Sequence, residues 1–211
     1  MTNAHYHRGD ATFFSCCGRE CRLWGVHPWQ AEKVTGSVFV PMLRDRLGTD
    51  PSAGVGEIGL DRLKTKTVTT MQREVFAAQL AVAAEMNRPV VLHGAKCWGE
   101  VVKMVKPFAG MIPAFLFHGF SRSDGLLPEI VALNGFVSVG QAVLNDHAVN
   151  YRALVKRLPL DRLLVETDDD VADDHTRTAT VAEVFAKTAE LTGLTETQLD
   201  ANAHAFIEAR R

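Results

Sequence analysis

TTMQREVFAAQLAVAAEMNRPVVLH, residues 69–93, changes its periodicity at one point. Apolar residues at 71, 75, 76, 80, 82, 83 and 86 recur at helical spacing and give a broad face over 69–87. Asn87-Arg88-Pro89 stops that helix. RPVVLH, residues 88–93, is then a continuous apolar run without alternation, the pattern of a parallel strand covered on both faces. Helix followed by buried strand is half of a βαβ unit, and the rest of the chain repeats it.

Runs of the same kind stand at RLWGV (22–26), SAGVGEI (52–58), PAFLFH (113–118), GFVSVG (135–140) and RLLVETD (162–168), and NAHYHR opens the chain as a first strand. Helical stretches lie at 97–108, 123–134 and 147–158. VAEVFAKTAELTG (181–193) ends on Gly193 as a C-cap. Thr195 and Gln198 make a capping box for a last helix to about residue 209. This alternation gives an α/β fold with a parallel sheet. An open doubly wound sheet and a (β/α) barrel both satisfy it, but no G-x-G-x-x-G follows the first strand to mark the open form. With no linker, low-complexity tract or repeat, residues 1–211 read as a single domain.

Composition is that of an ordinary globular chain, 46% hydrophobic and 23% charged, with a formal net charge of -2. A protein held on DNA by counterion release is usually more basic, so metal ions would have to hold the phosphates of any nucleic-acid substrate. The first 20 residues carry no apolar stretch of signal-peptide length, and FAAQLAVAAEM is too short to span a bilayer. The expectation is a soluble cytoplasmic protein without membrane association; no protein partner is evident. Cys16, Cys17 and Cys21 form C-C-x3-C, which is no usual zinc spacing, and with Cys97 they read as free thiols of a reducing compartment.

The strand ends carry the chemistry. The first strand holds His5 and His7, SAGVGEI holds Glu57, RPVVLH ends in His93, PAFLFH in His118, and RLLVETD in Glu166 and Asp168. Parallel sheets place their sites at the C-terminal ends of their strands. A single histidine there is ordinarily structural; the joint pattern is not. His5 and His7, two apart on a strand, face the same way and can reach one ion. Gly56 and Gly59 beside Glu57 permit close approach of backbone and ion. Asp168 after an apolar strand is costly without a cation. His147, His175 and His204 lie in helical or loop stretches and are read as structural. His27, in GVHPW, caps the loop or contacts substrate, with substrate preferred. Imidazoles with carboxylates suit Zn²⁺, Mn²⁺ or Co²⁺, and Mg²⁺ on the oxygen-rich side. The set is too large for one tetrahedral ion. Two divalent metal ions sharing Glu57 would use all of it, as in phosphoester hydrolysis.

The segments HYH (5–7), GVHPW (25–29), GVGEIGLD (54–61), MQREVFAAQ (71–79), RPVVLH (88–93), FHGFSRS (117–123), GFVSVG (135–140), LLVETDD (163–169) and NAHAF (202–206) together resemble the TatD family of metal-dependent hydrolases, a branch of the amidohydrolase-like superfamily. The resemblance implies a TIM-like barrel and hydrolysis of phosphodiester bonds, of DNA above all. It implies His5, His7 and Asp168 on one ion, His93 and His118 on the second, and Glu57 bridging. Asp168 would orient or deprotonate the attacking water, and Lys96 and His27 would bind the substrate. The chain departs from the family pattern in places. Asn3 stands where the family has Asp, Ala95 where it has Arg, and Asp169 and Asp170 add negative charge beside the metals. Only 17 residues separate His7 from Gly25, where the family has a helix and another strand, so the barrel is expected to lack one βα unit near its N-terminus.

The expectation is a dinuclear metal-dependent hydrolase, deoxyribonuclease-like, in which a metal-bound water attacks a phosphodiester. An amidase or lactonase on the same barrel is the rival enzyme, and a non-catalytic metal-binding barrel the rival outside enzymes.

Overall fold

The computed structural model describes residues 1–121, 123–169 and 179–209. Eight strands form one sheet in chain order: β1 (Asn3–Arg8), β2 (Ala11–Cys16), β3 (Arg19–Trp24), β4 (Gly54–Asp61), β5 (Val90–Ala95), β6 (Phe115–Phe117), β7 (Gly135–Val139) and β8 (Leu163–Val165). From β3 to β8 every neighbouring pair is parallel. Helices make the crossovers: α1 (Gly36–Thr49), α2 (Thr70–Glu85), α3 (Trp98–Val105), α4 (Leu127–Ala132) and α5 (Val149–Val155), with α6 (Val181–Thr192) and α7 (Glu196–Ile207) after β8. Among the described residues no helix is long and apolar enough to cross a membrane.

The sheet curls back on itself. Just past β8, the Asp168 N–H donates to the His5 carbonyl at 3.1 Å, and the His7 N–H donates to the Asp169 carbonyl at 2.9 Å. These bonds lay β1 beside the last strand and make a TIM-like barrel. All eight residues of β4 and all five of β7 are buried, as continuous apolar runs require. Gly59, at φ +149, lies so close to β5 that a Cβ would sit 2.0 Å from the His93 carbonyl oxygen. The glycines of GVGEIG therefore let β4 pack on β5, and not an ion on β4.

The short N-terminal segment has no helix, as expected, yet the sheet has eight strands among the described residues. β2 runs antiparallel to both β1 and β3 and takes the place of a βα crossover. It alternates half-buried and buried residues, a period-two pattern that a search for continuous apolar runs passes over. Its two-residue turn to β3, Cys17-Gly18, has positive φ at both positions (51° and 78°), the twist that closes a tight hairpin. Helix α1 is the other unforeseen element. Gly36 and Pro41 speak against helix by propensity, but Phe39, Leu43 and Leu47 at four-residue spacing are buried and override it. β3 begins three residues before the expected 22, and β4 extends to Asp61 where 58 was expected. The capping box at Thr195 and Gln198 and the left-handed cap at Gly193 are present.

Candidate metal centre

His5 and His7 project from β1, Glu57 from β4 and His93 from β5, while His118 follows β6 directly and Asp168 lies three residues past β8. All six meet at one mouth of the barrel. Glu57, almost fully buried, divides its two oxygens. Oε2 lies 3.2 Å from His5 Nε2 and 3.8 Å from His7 Nε2. Oε1 lies 2.6 Å from His118 Nε2 and against His93 Nδ1. Asp168 Oδ1 closes the first group, 3.4 Å from His5 Nε2 and 3.5 Å from His7 Nε2. Its side chain is 47% exposed, so its burial is not the costly one; that burden falls on Glu57.

Charge and burial oppose one another here. Burial alone would raise the Glu57 carboxyl, but His118, His5 and His93 pull it well below the usual carboxylate range. Burial would lower His118 and His93, yet Glu57 raises both. A hydrogen bond to Asp168 raises His7. The donor set fits divalent ions. His118 Nε2 and His27 Nε2 each stand 3.3 Å from His93 Nδ1, so ring nitrogens cluster around the Glu57 carboxylate as potential donors to a cation. Three triplets at this mouth bring a ligand atom apiece within 4.8 Å of one another: His5, His7 and Glu57; His5, His118 and Asp168; His27, Glu57 and His93.

His27 caps the loop, and its ring also faces the barrel mouth. Its Nδ1 accepts the Trp29 N–H at 3.2 Å and caps the short 3-10 helix that follows, while Nε2 reaches within 3.5 Å of Glu57. Burial lowers its pKa. With Nδ1 accepting, the neutral ring carries its proton on Nε2 and presents a donor to the site.

Two carboxylates that the sequence reading gave no role stand behind the candidate ligands His93 and His118. Asp61 Oδ2 stands 3.1 Å from His93 Nε2 and accepts the Trp29 indole N–H at 2.6 Å, while Oδ1 accepts the Lys64 N–H at 2.7 Å. Glu166 Oε1 stands 3.6 Å from His118 Nδ1 and accepts the Gly119 N–H at 2.7 Å, and Oε2 accepts the Ser138 hydroxyl at 2.5 Å. Glu166 lies in the RLLVETD run that also holds Asp168, whereas Asp61 ends β4 three residues beyond the run expected there. Asn3 exchanges two bonds with Thr167 and touches no ligand: its Nδ2 donates to the hydroxyl and its Oδ1 accepts the N–H. Asp169 is buried and accepts from the Gln141 amide, so it does not face the ions as free charge. Asp170 and His175 lie outside the described residues. Lys96 is exposed and lines a cleft of about 820 Å³ with His93 and His118. A second cleft of about 1080 Å³, past Gln141 and Tyr151, meets it at Gly119, Ser121 and Asp168.

The chain is similar to the 3'-5' ssDNA/RNA exonuclease TatD of Pectobacterium carotovorum, 32% identical over 145 residues, which are 68% of this chain and 55% of that protein. It is similar to the metal-dependent hydrolase YabD of Bacillus subtilis, 30% identical over 151 residues, 72% of this chain and 59% of that one. It thus spans little more than half the length of these curated relatives. Among solved structures, the TatD homolog YjjV of Escherichia coli K12 superposes with a TM-score of 0.72 at 27% identity, over 89% of this chain and 73% of that one. A TatD family hydrolase of Entamoeba histolytica shares the fold at 13% identity and a TM-score of 0.66. Residues 18–208 match the family described as TatD related DNase. The match begins after His5 and His7, whose place rests on the geometry above. By that match, with the barrel and its relatives in agreement, the chain belongs to the TatD-related DNase family.

Proposed function

We propose that residues 1–211 form one catalytic unit, a dinuclear metal-dependent hydrolase that cleaves phosphodiester bonds of nucleic acid. One observation carries the reading: Glu57 gives one oxygen to the His5–His7 group and the other to the His93–His118 group. His5, His7, Asp168 and Glu57 Oε2 would hold one ion, and His93, His118 and Glu57 Oε1 the second. Zn²⁺, Mn²⁺, Co²⁺ and Mg²⁺ all suit such donors. Bound there, paired cations acidify water and neutralise charge on the reacting phosphate.

The chain's own groups do the rest. Asp168 is ionised and half exposed at the mouth, placed to orient the attacking water and accept its proton. His27 donates from Nε2 to the leaving oxygen. Lys96 offers an ammonium to a phosphate along the cleft. Two open clefts that meet at the site suit an extended chain, and relatives named as single-strand exonucleases agree with such a substrate. A cytoplasmic location belongs to the same reading, supported by four cysteines of which none is in a disulfide among the described residues.

The test uses untagged protein. Bound metal is measured after Mn²⁺ or Zn²⁺ supplementation, and hydrolysis of single-stranded DNA is compared between wild type and Glu57→Gln. Outer partners of metal ligands are worth about ten- to hundredfold, so loss of the bridge should cost more than about a hundredfold in activity. Less than about half an equivalent of metal, or retained activity in Glu57→Gln, overturns the assignment. Turnover of lactones or N-acyl amino acids, with phosphodiesters left intact, would move the enzyme to the amidase class.

A further inference from the structure

The β2–β3 turn lies at the end of the barrel opposite the metal centre. Asn3, where β1 begins, pairs with Ser15, while His7, at the mouth, pairs with Thr12. Cys16 and Cys17 therefore sit at the closed end, beside the last turn of α7, which carries His204. One ligand atom from each of Cys16, Cys17 and His204 lies within 4.8 Å of the other two. The two sulfurs are 3.5 Å apart and both thiols are free. A disulfide would bring them to about 2.05 Å. A tetrahedral zinc ion with bonds of about 2.3 Å to sulfur would hold them about 3.8 Å apart.

We infer that Cys16, Cys17 and His204 form a second metal site, for zinc, which ties the β2–β3 hairpin to α7. Glu208 Oε1 stands 3.7 Å from His204 Nδ1, the place where a carboxylate orients a metal-bound imidazole, and this leaves Nε2 for the ion. Arg19 fixes that carboxylate from the hairpin side at 3.1 Å. A cleft of about 360 Å³ lined by Cys16, Cys21 and His204 has room for a water as fourth ligand. Burial pushes the Cys16 thiol up to about 12; zinc binds cysteine as thiolate, so filling the site releases protons. The hairpin and α7 already touch through the Arg19–Glu208 pair, and Cys16 Sγ lies 3.9 Å from the Asp200 carbonyl. An ion would add a bond between segments almost 190 residues apart in the chain.

The test reads sulfur directly. The ligand groups at the barrel mouth are imidazole and carboxylate alone, so a thiolate-to-cobalt charge-transfer band in the near ultraviolet reports only a thiol-bearing site. Co²⁺ is titrated into the full chain as wild type, Glu57→Gln, Cys17→Ser and His204→Ala; Cys17 is exposed and His204 partly so, so these last two changes spare the core. The band should saturate in wild type and in Glu57→Gln, yield to zinc, and vanish in Cys17→Ser and His204→Ala. Zinc should also raise the Tm of Glu57→Gln, and lose that effect when Cys17→Ser is added. Absence of the band in wild type overturns the site. So does a band that survives both Cys17→Ser and His204→Ala, or one removed by Cys97→Ser.

Discussion

At Glu57 the fold places a carboxylate where burial alone would forbid its charge, and surrounds it with imidazoles that restore it. Those imidazoles need holding in turn. Asp61 is 1% exposed, and its carboxyl, which burial would raise, is held well below the usual range by His93, Lys64 and Trp29. An ionised carboxylate behind His93 Nε2 keeps the proton on that nitrogen and leaves Nδ1 facing Glu57, where the proposed second ion would bind. Asp61→Asn keeps an acceptor for the Trp29 indole but removes the charge. Metal affinity and kcat/KM should both fall about ten- to hundredfold, the usual worth of such a partner. Calorimetric metal titration with kinetics at rising metal concentration checks this. Activity should return at saturating metal if Asp61 acts through His93. Activity that stays low would make Asp61 a substrate contact and reject the positioning role.

At the scale of elements, the barrel depends on a seam between its two ends. Asn3 on β1 gives Thr167 both an acceptor and a donor, beside the backbone bonds of His5 and His7. Asn3→Ala leaves the buried Thr167 N–H without its acceptor and should cost about 1–3 kcal/mol, or about 2–4 °C of Tm for each kcal/mol in a chain of this size. Asn3→Asp keeps that acceptor, and the Thr167 hydroxyl can turn to donate, so its Tm should stay near wild type. Thermal unfolding checks this, and equal losses in both variants would show that an acceptor for the Thr167 N–H is not by itself what closes the seam. The same elements show what the sequence made legible. Runs buried on both faces announce themselves, and six strands lie where continuous apolar runs stand. β2 has one buried and one half-buried face, and α1 a single narrow stripe broken by Pro41, so tertiary packing decides both. The six residues that meet at the barrel mouth were legible because polar atoms at the ends of apolar strands need a reason. Asp61 and Glu166 obey the same rule, but their partners are histidines from other strands, which no spacing displays. Cys16 and His204 meet only because α7 folds against the hairpin.

Over the whole molecule, the protonation of this centre ties stability to pH, and the sign depends on metal. In the metal-stripped protein His7, His93 and His118 have raised pKa values, and Glu57 and Asp168 lowered ones. A raised histidine contributes stability in full below its unfolded value of about 6.5 and loses it as pH climbs through its folded value. A lowered carboxylate contributes above its unfolded value of about 4 and loses it as pH falls through its folded value. His27 is lowered and works against the other histidines, one ring against three. The stripped protein should therefore be most stable between about pH 4.5 and 6.5, and its Tm should fall from there toward pH 8. Ions reverse the slope, because ligating imidazoles must first lose their protons and metal then binds the folded state more tightly as pH rises. Calorimetry of chelator-stripped and metal-loaded protein across pH 5–8 should show two trends that diverge toward the alkaline end. A stripped protein whose Tm rises over that range would mean the imidazoles enter the fold neutral. Glu57 would then be held by hydrogen bonds and not by charge, and the centre would be preformed for metal without any proton to displace.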